Sequence, residues 1–127
     1  MTDRQQIEPL VRALYAARVT GHLEALCGLF ASDARLRIAG SSDGKPIAIT
    51  ARGIDEIRPW LAMLVKTFRL IDQEILSTVI EGRSAAVHWR AGVHSKITGA
   101  VVPTELVDLI EISDGRIASY REFFVPG

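Results

Sequence analysis

The chain has 127 residues, of which 48% are hydrophobic and 24% charged, and fifteen basic residues balance fifteen acidic ones. We therefore expect one folded domain, 1–127, with a core of ordinary size. Zero net charge and the lack of a basic run exclude the electrostatic attraction that binding to nucleic acid or to an anionic membrane requires.

The amino-terminal segment predicts two helices. Apolar residues spaced by three and four positions indicate a first amphipathic helix, with the stripe Ile7, Leu10, Val11, Leu14, Tyr15 and Arg18. Gly21 ends this helix, because glycine readily adopts the left-handed conformation of a helix cap. A shorter second helix continues the stripe with Leu23, Leu26, Cys27 and Phe30. It ends at Ser32-Asp33.

A short hairpin and a third helix come next. Segment 34–39 alternates apolar with basic residues, 40–46 has the composition of a loop, and 47–52 suits a return strand. After Gly53 the three- and four-residue spacing returns. It predicts a third helix with the stripe Ile54, Ile57, Leu61, Leu64, Val65 and Phe68.

The carboxyl-terminal half predicts one antiparallel sheet. A strand from 69 to 81 turns at Gly82-Arg83, and three alternating runs follow, at Trp89–Gly99, Glu105–Ile112 and Gly115–Phe124. Only Ser113 and Asp114 join the last two runs, which is typical of a β-hairpin. The element order predicts an α+β domain, a curved antiparallel sheet with the helices on one face. Such folds tend to leave a cavity between the layers.

No metal or cofactor is expected. Cys27 is the only cysteine and lies in an apolar helix, which favours a buried, inert thiol. His88 and His94 are about 20 Å apart along a strand, too far for joint ligation of a metal. The first residues lack a signal segment and no stretch approaches a membrane span, so we expect a cytoplasmic location.

Several short segments match one known family. They are Tyr15 with Gly21, Phe30–Ala34, Arg52-Gly53, Val107-Asp108-Leu109 and Asp114-Gly115-Arg116-Ile117. With the element order, they make the chain resemble the NTF2-like superfamily, especially its SnoaL-like and ketosteroid-isomerase-like branch. The resemblance implies a conical barrel, with the helices on the concave face of the sheet and an apolar pocket for a small ligand. It also implies a homodimer through the outer sheet face, which zero net charge favours.

The resemblance also implies roles for particular residues. In this branch a tyrosine of the first helix and a neutral aspartic acid of the penultimate strand form an oxyanion hole, and Tyr15 and Asp108 hold those positions. Apolar neighbours on an inward face would raise the pKa of Asp108. Ile38 holds the position of the branch's general base, so that base is absent. The aspartate-arginine-aspartate set of the limonene-epoxide-hydrolase branch is also not evident, because Ala91-Gly92 follow Arg90.

The strand that carries Asp108 is apolar on both faces, so periodicity alone leaves a solvated Asp108 open. On the last strand the resemblance turns Tyr120, Glu122 and Phe124 inward, which leaves Ile117, Ser119, Arg121 and Phe123 on the outward face. Glu122 is then a candidate base. If the strand instead lies at the surface, Glu122 is a solvated charge beside Arg121.

Strand 84–97 has an apolar face and a polar face. The apolar face comprises Val87, Trp89, Ala91 and Val93, and the polar face comprises His88, Arg90 and His94. The simpler interpretation turns Trp89 toward the cavity and the polar face outward. In the reverse register His88 becomes the general base.

Two functions remain open. The first is a cofactor-independent isomerase, cyclase or lyase acting on a small apolar carbonyl compound, with Asp108, Tyr15, Glu122 and His88 as candidate catalytic residues. The second is a non-catalytic homodimer that binds an apolar ligand, which the missing base favours. In both, the side chains expected around the ligand are Ile38, Trp60, Leu61, Trp89, Leu106, Tyr120 and Phe124. Ordinary helix packing is an alternative for Trp60.

Overall fold

The computed structural model describes residues 3–126 of the protein. Its helices are α1 (Asp3–Thr20), α2 (Leu23–Cys27) and α3 (Ile54–Ala62), and α3 continues into a π-helical turn at Met63–Thr67. Gly21 follows α1 with a φ of 74°, the left-handed value predicted for it. The stripe predicted for α1 is buried except for Leu10, which is half-buried.

Within the described residues, one sheet has the strand order β2-β1-β6-β5-β4-β3. The strands are β1 (Phe30–Ser42), β2 (Lys45–Arg52), β3 (Phe68–Glu81), β4 (Ser84–Ser95), β5 (Val101–Ser113) and β6 (Arg116–Pro126). Neighbours run antiparallel except β1 and β6, which are parallel. The sheet is therefore mixed rather than wholly antiparallel. It is also open, because β2 and β3 are its edges.

The helices cover one face of this sheet. α1 contacts β3, and α3 contacts β1 and β2. On β1 the covered side chains Leu36 and Ile38 are buried, whereas Arg35 and Arg37 between them are exposed. This alternation confirms the predicted α+β class, with the helices on one side. It also defines an inner sheet face toward the helices and an outer face away from them.

Two predicted helices are too long. Phe30 and Ser32-Asp33 belong to β1 rather than to the second helix, because Phe30 pairs with Ile117 of β6. Phe68 begins β3 rather than ending the third helix, because it pairs with Ser95 of β4. In both places strand pairing outweighs a local apolar spacing that also suits a helix.

The predicted hairpin turns are misplaced. Segment 40–46 is mostly strand, and only Asp43-Gly44 turns, with φ of 53° and 74°. The last hairpin turns at Asp114-Gly115, with φ of 52° and 74°, rather than at Ser113-Asp114. Positive φ at both central residues matches the twist of the flanking strands, and an Asp-Gly pair adopts it readily.

One residue of β6 faces the opposite way from the prediction. Ile117 was expected to face outward with Ser119 and Arg121, but it is fully buried. The pairing of β5 with β6 shifts register between Glu111–Ser119 and Ile112–Ile117. This bulge reverses the inward–outward alternation for the residues of β6 that precede Ser119.

Membrane-spanning helices are not found: between residues 3 and 126, no helix has the length and apolar character needed to cross a bilayer.

Candidate active site

A group of buried polar side chains lies between α1 and the inner sheet face. We call it the polar cluster, and its members are Tyr15, Arg18, Trp89, Asp108, Tyr120 and Glu122. Asp108 is 0% exposed, Glu122 2% and Arg18 5%. Burying charged groups costs several kcal/mol unless they are paired, so the contacts within the cluster decide how the core tolerates them.

The helix and strand periods bring these side chains together. Tyr15 and Arg18 are three residues apart and therefore share one face of α1. Tyr120 and Glu122 are two residues apart and share the inner face of β6. Asp108 lies directly opposite Glu122 in the β5–β6 register. Two carboxyl groups are therefore cross-strand neighbours in the core.

One oxygen of Asp108 is saturated with hydrogen bonds and the other has none. Oδ2 accepts from the Tyr15 hydroxyl at 2.6 Å, the Tyr120 hydroxyl at 2.8 Å and Trp89 Nε1 at 2.9 Å. Oδ1 is buried without a partner among the described residues. The three donors fix the orientation of the carboxyl group and leave one buried polar atom without a hydrogen bond.

Arg18 is the cation of the cluster. Its Nη1 forms an ion pair with Glu122 Oε1, donates to the Tyr120 hydroxyl at 2.8 Å and lies 4.0 Å from Asp108 Oδ2. The guanidinium also lies 5.0 Å from the centre of the Trp89 ring, within the range of a cation–π contact. Arg18 therefore bridges both carboxyl groups, with its close contact to Glu122.

The charge balance favours a neutral Asp108. Burial raises the pKa of Asp108 well above its usual range, and the adjacent Glu122 raises it further, whereas Arg18 lowers it less. A single guanidinium compensates one carboxylate, and the short ion pair assigns that carboxylate to Glu122. We therefore assign the proton of the carboxyl pair to Asp108.

The other titrating members remain protonated. Burial lowers the pKa of Arg18, but attraction to Glu122, Tyr120 and Asp108 outweighs it, so the pKa is raised. Burial is the main cause that raises the pKa of Tyr15, with Asp108 second. Burial likewise raises the pKa of Tyr120. Both hydroxyls therefore act as hydrogen-bond donors.

His88 does not join the polar cluster. It lies on the outer face of β4 with its Nε2 3.1 Å from Glu105 Oε2, whereas Trp89 turns inward and is 0% exposed. The alternative register that made His88 the general base is therefore wrong. The apolar residues Val87, Trp89 and Ala91 fix the register, because burying them outweighs exposing His88.

The side chains predicted to line a pocket all contribute to the core. Ile38, Leu61, Trp89, Leu106 and Tyr120 are buried, and Trp60 and Phe124 are half-buried against it. Trp89 and Tyr120 donate hydrogen bonds to Asp108, so their role at the cluster is polar as well as apolar. Trp60 and Leu61 lie on α3, away from the hydrogen bonds of the cluster.

Sequence reasoning missed the role of Arg18. The signal was present, because Arg18 occupies a position in the apolar stripe of α1, where a charge needs a buried partner. The sequence predicted no aspartate-arginine-aspartate set, because Ala91-Gly92 rather than a carboxylate follow Arg90. Arg90 instead pairs with Glu74 on the outer face, and α1 supplies the bridging arginine.

A carboxylate lies beside the position that Ile38 occupies in place of the expected base. Ile38 of β1 is buried and pairs with Glu122 of the parallel strand β6. Adjacent strands are about 4.8 Å apart. Glu122 therefore lies one strand away from the position that Ile38 occupies.

Metal ligation finds no support in the residues from 3 to 126, which contain no group of three His, Cys, Asp or Glu side chains that could hold an ion. Cys27 is buried, and burial raises the pKa of its thiol, as expected for an inert residue.

Known proteins share this fold. The chain matches the model of the SnoaL-like domain over residues 11–120. A search of curated proteins finds no match. Among solved structures, a candidate isomerase from Bacillus subtilis has a TM-score of 0.81 at 18% identity, and the match covers 98% of this chain and 89% of that chain.

Two further structures extend the comparison. A protein from Catenulispora acidiphila with a ketosteroid isomerase-like fold, solved with trimethylamine, has a TM-score of 0.72 at 21% identity, over 91% of this chain and 84% of that one. An NTF2-like protein from Burkholderia xenovorans has a TM-score of 0.72 at 22% identity, over 94% and 89%. The resemblance inferred from the sequence is confirmed, and at these identities the structures show the fold alone.

Proposed function

The chain belongs to the SnoaL-like domain family, and we propose that it is a cofactor-independent enzyme that moves a proton within a small, mostly apolar carbonyl compound. Isomerase, cyclase and lyase reactions all fit such a step. The observation that carries the proposal is Asp108, a fully buried acid with a raised pKa, one oxygen held by three donors and the other unpartnered. The isomerase-like names of structural neighbours support it.

In this proposal Asp108 and Tyr15 stabilise the oxygen that gains charge. A neutral carboxyl with its proton on Oδ1 donates a hydrogen bond to the carbonyl oxygen of the ligand. Tyr15 has one hydroxyl proton, which it donates to Asp108 at 2.6 Å, so it becomes a second donor by turning that proton from Asp108 to the ligand oxygen. Hydrogen-bond donors in a low-dielectric core stabilise the developing enolate more strongly than donors in water do.

Glu122 is the proposed base. It removes the proton from the carbon next to the carbonyl group and then returns it, so that protons balance over the turnover. Arg18 forms an ion pair with Glu122 in the ligand-free protein. Because the side chains of both are only 3% exposed, ligand entry must displace covering side chains and draw Arg18 away from Glu122.

A second candidate function is a non-catalytic homodimer that binds an apolar ligand. Two observations favour it: Ile38 replaces the usual base, and the ion pair with Arg18 occupies Glu122. In that case the polar cluster orients the carbonyl oxygen of the ligand but moves no proton.

Hydrogen–deuterium exchange separates the two functions before any substrate is known. The wild-type protein is expected to accelerate the exchange of α-protons of cyclic ketones in D₂O, measured by proton NMR. Asp108→Asn should slow the catalysed exchange by roughly 100- to 1000-fold, the size of an oxyanion-donor effect, because an amide N–H is a weaker donor than a carboxylic acid O–H. Glu122→Gln should abolish it, because no base remains.

The matched control is Glu111→Gln, on the exposed face of the same strand as Asp108. It should exchange at the wild-type rate. Unchanged exchange in folded Asp108→Asn would show that this residue has no catalytic role. A ligand found by native mass spectrometry, with no exchange by the wild type, would favour the non-catalytic function.

We further propose that the protein is a homodimer through the outer sheet face. Phe123 is 36% exposed there and Val79 58%, and Phe123 pairs with the half-buried Val107. Phe123→Glu is expected to give a monomer at micromolar concentration in sedimentation experiments, because a buried charge would oppose association. Ile97→Glu, at a site 81% exposed after β4, should leave the dimer intact. A monomeric wild type would contradict this proposal.

A further inference from the structure

A groove on the outer sheet face collects positive charge. It has a volume of about 580 Å³ and crosses β2, β1 and β6. Four arginines line it, Arg35, Arg37, Arg52 and Arg121, and we call it the arginine groove. All four are exposed, and they lie on the opposite side of the sheet from the polar cluster.

The four guanidinium groups repel one another. Arg35 and Arg52 are directly opposite in the antiparallel β1–β2 pair, and Arg37 and Arg121 are neighbours in the parallel β1–β6 pair. Such partners have Cβ atoms about 5 Å apart, and like charges at that distance destabilise a sheet. Four cations therefore lie side by side in a chain whose net charge is zero.

Within the part of the chain that the structure describes, none of these four side chains is paired with a carboxylate, although Glu56 and Glu111 also line the groove. Among residues 3–126, none of the four guanidinium groups forms a hydrogen bond or an ion pair. Other exposed arginines do form one: Arg58 pairs with Glu24, and Arg90 with Glu74. The contrast indicates that the counter-charge for the two positive charges in excess comes from outside the chain.

The charge and the lining select a ligand. Glu56 and Glu111 also line the groove, so its net charge is two positive. A phosphate monoester is close to a dianion at neutral pH, and planar guanidinium groups bind its oxygens with paired hydrogen bonds. The hydroxyls of Thr50 and Ser119 add further donors. The volume also leaves room for an organic body beside the phosphate.

We propose that the arginine groove is a binding site for the phosphate group of a small phosphate monoester. This site goes beyond the proposed proton transfer and is separated from it by the sheet. It shares the outer face with Phe123, so it requires that the proposed dimer contact leave the outer side of β1 and β2 uncovered. A monoester fits better than a nucleic-acid backbone, because each phosphodiester carries only one negative charge and the chain as a whole has no net positive charge.

The test uses glycerol 2-phosphate as the probe and dimethyl phosphate as the monoanionic comparison, at low ionic strength where the Debye length is about 30 Å. Amide chemical-shift changes on titration with the monoester should centre on β1, β2 and β6. The affinity for the diester, measured in the same way, should be at least tenfold weaker. Arg35→Gln with Arg37→Gln should weaken monoester binding by about 100-fold, one factor of ten for each lost charged contact.

The control is Arg69→Gln with Arg83→Gln, which removes the same charge from exposed positions outside the groove. Binding should remain near the wild-type affinity. An equal loss in both double variants would overturn the proposal, because net charge alone would explain it. A second result would also overturn the proposal: Arg35→Gln with Arg37→Gln converts a dimer into a monomer, and the monoester has no effect. The groove would then be an interface between two copies of the chain.

Discussion

Arg18→Met is expected to lower the free energy of unfolding by about 3–5 kcal/mol at neutral pH. The variant leaves Glu122 and Asp108 opposite each other in the core without their cation, with Glu122 2% and Asp108 0% exposed. Methionine keeps the apolar stem of the side chain, so the loss reports charge rather than packing. Urea denaturation gives the value directly.

A second substitution should recover most of this loss. Arg18→Met with Glu122→Gln removes both members of the ion pair, and apolar or neutral replacements of a buried pair are often tolerated. Arg58→Met, at a surface ion pair with Glu24, should have little effect. If Arg18→Met alone is as stable as the wild type, Arg18 does not bridge the carboxyl groups in the folded core.

Asp108→Asn is expected to change how stability depends on pH. The pKa of Asp108 is raised by burial in the folded protein and is about 3.9 in the unfolded chain. Between these values the folded state binds more protons, so wild-type stability falls as pH rises. The stabilisation is fully present below pH about 3.9 and is lost as pH rises through the folded pKa.

The size of this effect is set by the proton that Asp108 retains. Within the window, the wild type should lose up to about 1.4 kcal/mol for each pH unit relative to Asp108→Asn, which has no proton to lose. The comparison is the difference in unfolding free energy between the two proteins from pH about 4.5 upward. A constant difference across that range would mean that Asp108 is ionised in the fold.

Much of the fold follows from local patterns. The α1 stripe and the alternation around Leu36 are consequences of helix and strand periods, which act over a few residues. The inward position of Asp108 was implied by the family resemblance instead, because its strand is apolar on both faces. The first and last residues of the helices and strands could not be predicted from local patterns, because they depend on pairing with strands that lie far away in the sequence. Phe30 suits either a helix or a strand until Ile117 of β6 pairs with it.

The candidate site was foreseen in part. Tyr15, Asp108 and Glu122 meet as the family resemblance implied, since each occupies an inward position on its own element. The bridging role of Arg18 did not follow, because an apolar stripe identifies a buried charge without identifying its partner. The expected apolar pocket stays a prediction. Where its centre was expected, the described residues form a hydrogen-bonded polar cluster.

The interpretation of the polar cluster depends on one proton, the one assigned to Asp108. It can be observed directly by carbon-13 NMR of protein labelled at the aspartate carboxyl carbon, with Asp108→Asn to assign the signal. The account predicts that the Asp108 carboxyl carbon keeps the chemical shift of a protonated acid at neutral pH. A signal that titrates near pH 4, like an ordinary aspartate, would contradict it.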